Sequence, residues 1–135
     1  MIVDTSALLA FFDRTEPRHD STVTAVNSER GPLVVSPYVL AELDDLVAAR
    51  LGVGTEVAVL SELAGGAWEL ASLDNDDVLR AASVIEKYPD QAIGLADASI
   101  VVLADRYGTR RIATLDRRHF EVIRPLHGGR FTVVP

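Results

Sequence analysis

Four acidic residues, Asp4, Glu42, Asp97 and Asp116, stand where an acid is expected to do more than keep a surface wet. Asp4 closes the short apolar run Met1-Ile2-Val3, and Asp116 closes Arg111-Ile112-Ala113-Thr114-Leu115 in the same way. Asp97 lies inside Ile93-Gly94-Leu95-Ala96-Asp97-Ala98-Ser99-Ile100-Val101, where its neighbours are mostly core types. Acids in such settings are seldom buried unless they are paired or bind a metal. Carboxylates that share a site repel, so the site must either raise a pKa or hold a cation. A hard divalent ion such as Mg²⁺ or Mn²⁺ relieves the repulsion, because it prefers oxygen ligands and keeps water in its shell. Such an ion can ionise a water and stabilise the charge of an in-line displacement, so a metal-holding acidic pocket suits phosphodiester hydrolysis. Taken singly, each acid also has a plain structural role open to it. Asp4 and Asp116 could be turn or cap residues, Asp97 could complement a helix dipole, and Glu42 could be a solvated helix residue.

The elements that must position these acids alternate between strand and helix. A buried strand ending at Asp4 is followed by the apolar helix Ala7-Leu8-Leu9-Ala10-Phe11-Phe12, with Thr5 or Ser6 placed to cap it. A polar helix is expected from Pro17 to Arg30, ended by Gly31-Pro32, and a second short strand over Leu33-Val34-Val35. Ser36-Pro37 is a strong helix start, with Ser as N-cap and Pro at the first helical position. That helix runs to Leu51, stops at Gly52, carries an apolar stripe of Val39, Leu43, Leu46, Val47 and Leu51, and has Glu42 on its first turns. Further helices are expected over Gly54–Leu63, closed by Gly65-Gly66, over Asp74–Tyr88, broken by Pro89, and from Leu95 towards Gly108. Ala67–Ala71, Arg111–Asp116 and Phe131–Val134 complete the strands. Continuous apolar strands alternating with helices imply an α/β fold, a three-layer α/β/α sandwich with a mainly parallel central sheet. In such sheets ligands bind outside the carboxyl ends of the strands, where Asp4 would sit.

Residues 1–135 are expected to form one domain, long enough to bury a core. Nearly half of them (48%) are hydrophobic, which argues against disorder, yet no apolar run approaches the roughly 20 residues of a membrane span. No basic stretch precedes an apolar segment at the start, so a secretion signal is not expected. The absence of cysteine excludes disulfides and Cys-type zinc or redox sites, and fits a reducing cytoplasm. Net charge is −7, but unevenly spread. Residues 101–135 hold seven Arg and three acids, +4, against 17 acids and six bases, −11, in residues 1–100. A polyanion would be repelled by much of this surface unless a cation or the basic C-terminal third met it.

Asp4-Thr5-Ser6 after a short strand, Glu42 soon after Ser36-Pro37, Leu95-Ala96-Asp97-Ala98, and Thr114-Leu115-Asp116 together resemble the PIN domain in order and spacing. Size and arrangement are similar to the VapC ribonuclease toxins of type II toxin–antitoxin pairs, and the resemblance spans the whole chain. It implies that Asp4, Glu42 and Asp97 are core ligands of one or two Mg²⁺ or Mn²⁺ ions. Asp116 would be the fourth acid, ligating directly or through water. By the same resemblance, Thr5 and Ser6 would hold Asp4 and the water shell in place. The implied activity is endoribonuclease cleavage of structured RNA, such as transfer RNA or a ribosomal RNA loop, leaving a 5′-phosphate and a 3′-hydroxyl. The implied partners are an RNA substrate, a VapB-type antitoxin laid along an apolar groove, and a second copy of the chain in a homodimer. The stripes on the 37–51 and 54–63 helices could form that groove, although most of those residues would serve the core.

Arg117, Arg118 and His119 follow Asp116 and are the leading candidates for RNA phosphate contacts, with a solvated turn as the plain alternative. His19, His119 and His127 lack metal-ligand spacing, and Trp68 suits a core or an interface better than base stacking. A haloacid-dehalogenase phosphatase would want an acid where Ser6 stands. A receiver domain would want a late-sheet lysine, yet the single Lys87 falls in a helix. Gly52-Val53-Gly54 lacks the third glycine and the preceding strand of a dinucleotide loop. Two rivals remain: a PIN-fold module that acts only by binding partners, and a DNA or general nuclease of the same fold.

Overall fold

The computed structural model describes residues 1–135. The central sheet has five strands: β1 (Ile2–Val3), β2 (Val34–Val35), β3 (Glu69–Leu70), β4 (Arg111–Ala113) and β5 (Thr132–Val134). They lie in the order β3-β2-β1-β4-β5, and every neighbouring pair is parallel. Successive strand residues point to opposite faces of a sheet. Ile2, Val3, Val34 and Val35 are all fully buried, so the middle of the sheet is covered on both sides. This is why these strands read as unbroken apolar runs.

The helices are α1 (Thr5–Phe12), α2 (His19–Asn27), α3 (Pro37–Leu51), α4 (Val53–Leu63), α5 (Asn75–Lys87), α6 (Leu95–Arg106) and α7 (Arg117–Val122). None is long and apolar enough to cross a membrane. The expected Ser36-Pro37 helix start is present, with the Tyr38 N–H donating to Ser36 Oγ at 3.2 Å. Ser36 Oγ also meets Ser99 Oγ at 2.6 Å in the core, tying the start of α3 to α6. On α5, Asp74 and Asp77 form a reciprocal capping box, and Arg106 of α6 reaches Asp77.

Several elements differ from the sequence expectation. The second helix covers only His19–Asn27 of the expected Pro17–Arg30. The third strand shrinks to two exposed residues at the sheet edge, while Trp68 beside it turns inward against Phe11 and Phe12. The expected Arg111–Asp116 strand ends at Ala113, and the basic residues that follow form α7 with Asp116 as its N-cap. Neither Thr5 nor Ser6 caps α1: Asp4 occupies the cap position, and the two hydroxyls are engaged elsewhere.

The chain builds β1, β2 and β3 outward on one side, then returns through α5 and α6 to lay β4 on the other side of β1. The carboxyl ends of β1 and β4 therefore flank the topological switch point, where α/β sheets open a crevice. Asp4 and Asp116 sit at that crevice.

Candidate functional site

All four acids singled out in the sequence line one open cleft of about 440 Å³, together with Thr5, Ser6 and His119. Asp4 follows β1, Glu42 projects from the second turn of α3, Asp97 lies in the first turn of α6, and Asp116 starts α7. Two hydroxyls converge on Asp4 Oδ2, from Ser6 at 2.9 Å and from Thr114 at 2.6 Å. The Leu115 N–H donates to Ser6 Oγ at 2.9 Å, which ties the end of β4 to the end of β1. Thr5 Oγ1 donates to Glu42 Oε2 at 2.8 Å and so bridges α1 to α3. Thr5 and Ser6 thus orient two different carboxylates, one each.

Burial pushes the Asp97 carboxyl up from its ordinary range, and the negative charges of Asp4 and Glu42 add to that rise. The His119 imidazole opposes it, with Nδ1 at 3.0 Å from Asp97 Oδ2. Asp116 behaves differently. The Arg118 guanidinium grips it through Nε at 3.0 Å and Nη2 at 2.7 Å, and this pairing lowers its pKa. The Arg118 N–H also donates to Asp116 Oδ1, which makes Asp116 the helix cap that the plain reading anticipated.

The three basic candidates part company. His119 faces the acids, and Arg118 is held on Asp116. Arg117 points away from the cleft, with Nη2 donating to the Pro135 carbonyl at 2.6 Å. Sequence reasoning missed three contributors: Glu16 and Arg50, which also line the cleft, and Thr114. Thr114 stood inside the quoted Thr114-Leu115-Asp116 pattern. Its role depends on β4 lying beside β1, which no local signal announces.

The donor set fits a hard divalent cation in type and charge: five carboxylates line the cleft, against the Arg50 guanidinium and the His119 imidazole. As placed, no three acidic or histidine side chains gather around one point. Thr114→Val is expected to reduce activity about 10- to 100-fold and to destabilise the fold by about 1–3 kcal/mol, because Asp4 and the Asp116 N–H each lose a buried partner. Initial cleavage rates and a thermal melt would measure the two effects, and unchanged rates would remove Thr114 from the site.

A sequence model of the PIN domain matches residues 1–124 of this chain. The chain belongs to the PIN-domain family, in its VapC branch. It is 62% identical to ribonuclease VapC26 of Mycobacterium tuberculosis over 135 residues, the full length of both proteins. Among solved structures it resembles M. tuberculosis VapC20, a toxin that cleaves the sarcin–ricin loop. That match has a TM-score of 0.79 at 20% identity, covering 85% of this chain and 88% of the other. VapBC2 from Rickettsia felis, bound to a DNA fragment from its promoter, matches with a TM-score of 0.73 at 14% identity, over 99% and 98% of the two chains. At such identities the two structures attest the shared fold. That fold is the mainly parallel α/β sandwich expected of a PIN-domain VapC protein.

Proposed function

We propose that this VapC-family chain is a divalent-metal-dependent endoribonuclease acting as the toxin of a type II toxin–antitoxin pair. The observation that carries this reading is the meeting of Asp4, Glu42, Asp97 and Asp116 in one cleft at the switch point of the sheet. The strong likeness to a named ribonuclease over the full length supports the reaction class. Asp4, Glu42 and Asp97 would hold Mg²⁺ or Mn²⁺, with Asp116 as the outer acid once Arg118 releases it. The ion would supply charge neutralisation for the phosphate and a lowered pKa for water. Ser6 and Thr114 fix the rotamer of Asp4, and Thr5 fixes that of Glu42, so the acids are held against their mutual repulsion. His119, beside Asp97, is placed to contact the phosphate of a strand lying over the acids. Structured RNA, a transfer RNA or a ribosomal RNA loop, is the proposed substrate class.

The partner part of the reading rests on α4. Val59 and Leu63 of this helix enter the core, whereas Val53, Val57 and Leu60 form a second apolar stripe open to solvent. Such a stripe suits a VapB-type antitoxin tail or a second copy of the chain. Several structural neighbours are VapBC or toxin–antitoxin complexes, which supports this reading.

Incubating antitoxin-free protein with total bacterial RNA tests the activity. Discrete fragments with Mg²⁺ or Mn²⁺, lost in EDTA and restored by added metal, are expected. Absence of cleavage with either metal would leave the partner-binding module as the better reading, while equal cleavage of DNA would favour a general nuclease.

A further inference from the structure

The seven arginines of residues 101–135 sort into two groups. Arg106, Arg111 and Arg118 are each paired with a carboxylate, on Asp77, Glu29 and Asp116. Arg110, Arg117, Arg124 and Arg130 have no Asp or Glu carboxylate within ion-pair distance in this structure, and three of these four line a single open cleft of about 360 Å³. Arg117 and Arg124 come from α7 and the residues after it, and Arg130 from the segment leading into β5. Within the cleft Arg117 donates one N–H to the Pro135 carbonyl and Arg124 one to the Glu121 carbonyl, leaving most of their donors open. The only acid on its wall is Glu121.

The cleft has a rigid floor. Phe120 and Phe131 are buried and meet edge to face at 6.1 Å, which fastens α7 to the strand segment opposite. Because both rings lie below the surface, they offer no platform for base stacking. The cleft presents three guanidinium groups against the one carboxylate of Glu121, and guanidinium is matched to phosphate oxygens.

Its place relative to the acids gives it meaning. Residues 117, 120 and 121 share one side of α7, with Arg124 just beyond its end, while Asp116 and His119 face the acid cleft from another side. The two clefts share α7 as a common wall, since the helix and its cap residue contribute to both. A strand whose scissile phosphate lies over the acids needs a path out of a repulsive region, and crossing α7 brings it onto three guanidinium groups that no Asp or Glu side chain neutralises.

Resting on the ribonuclease reading, we propose that Arg117, Arg124 and Arg130 form a second RNA subsite, which holds the phosphodiester backbone beside the scissile position without reading sequence. The subsite explains how a chain of net charge −7 engages a polyanion: the three cations are set in one place and kept clear of its many acids.

The test uses binding, so it does not depend on turnover. Fluorescence anisotropy with a short fluorescein-labelled oligouridylate is measured in Mg²⁺ buffer over a salt series. The full chain carrying Asp97→Asn is compared with the same protein also carrying Arg117→Gln, Arg124→Gln and Arg130→Gln. A control carries Arg14→Gln, Arg18→Gln and Arg30→Gln instead, which removes the same charge from exposed residues elsewhere. Circular dichroism confirms folding, and a triple Lys version of the cleft keeps charge if the Gln version fails to fold. The expected result is an affinity loss of about tenfold or more for the cleft variant only. The slope of log affinity against log salt should also fall by about 2, from roughly 0.7 per lost single-strand contact. Equal losses in cleft and control variants, an unchanged slope, or no binding by the parent would overturn the subsite. Cleavage of total RNA by the otherwise wild-type chain is scored separately. Metal-dependent cutting with an intact affinity in the cleft variant removes the subsite alone, and failure of cutting removes the nuclease reading whatever the arginines do.

Discussion

Asp97→Asn is expected to lower RNA cleavage about 10³-fold or more, while the protein melts at a higher temperature than its parent in EDTA. The first effect follows from withdrawing a central charge from the proposed metal site, where several kcal/mol of transition-state stabilisation are at stake; about 4 kcal/mol corresponds to that factor. The second follows from the electrostatics of the folded chain. Burial, together with Asp4 and Glu42, raises the Asp97 carboxyl above its ordinary value, so without a cation its ionised form costs stability. The sign is fixed by linkage. A carboxyl whose folded pKa is raised favours the native state below its unfolded pKa, and that advantage is lost as pH rises through the folded value. Above that value the parent bears the penalty, and the neutral Asn bears none at any pH. Mg²⁺ should reverse the ranking, stabilising the parent and leaving the variant unmoved. A melt in which both proteins respond equally to Mg²⁺ would remove Asp97 from the ligand set, and undiminished cleavage would remove it from the mechanism.

Ile100→Ala is expected to cost about 3 kcal/mol of folding stability, within the roughly 2–5 kcal/mol seen for large-to-small core changes. Ile100 is fully buried on α6, one turn after Asp97, in a helix whose residues 98–104 are all buried. α6 packs on β1, α3 and α5, so a cavity there has partners on several sides and little freedom to collapse. For a domain of this size the melting temperature should drop by roughly 10 °C. Chemical denaturation should report a lower midpoint with an unchanged slope. A loss well below 1 kcal/mol would mean that the core around α6 relaxes into the gap.

These two substitutions lie a single turn apart and act on different levels, because α6 has two duties. Its interior face is continuous apolar core, and its first turn presents an acid to the cleft. The same division holds at β1, where Ile2 and Val3 are fully buried and the next residue is Asp4. Each acid is fixed by an element whose packing is apolar, so the carboxylates cannot drift apart to relieve their repulsion. Hydroxyls of Thr5, Ser6 and Thr114 hold two of them from the side.

The alternation of strands and helices, the Ser36-Pro37 helix start, the parallel character of the sheet and the four acids were legible in the sequence by itself. All of these depend on local chemistry or on a pattern repeated along the chain: apolar runs too continuous for a one-sided sheet, a cap residue before proline, acids set among core types. The tertiary structure alone decided which neighbours each acid has. Asp116 is drawn onto Arg118 because α7 begins where a strand was expected to continue, and that same helix turns Arg117 away from the cleft while keeping His119 on Asp97. Thr114 reaches Asp4 across 110 positions of sequence because the chain returns to lay β4 against β1, and Arg50 and Glu16 line the same cleft where α3 packs on α1. Long-range pairing is set by the burial of whole faces rather than by any one residue's preference. A spacing along the chain can therefore nominate a carboxylate, and only the packed fold assigns it a neighbour.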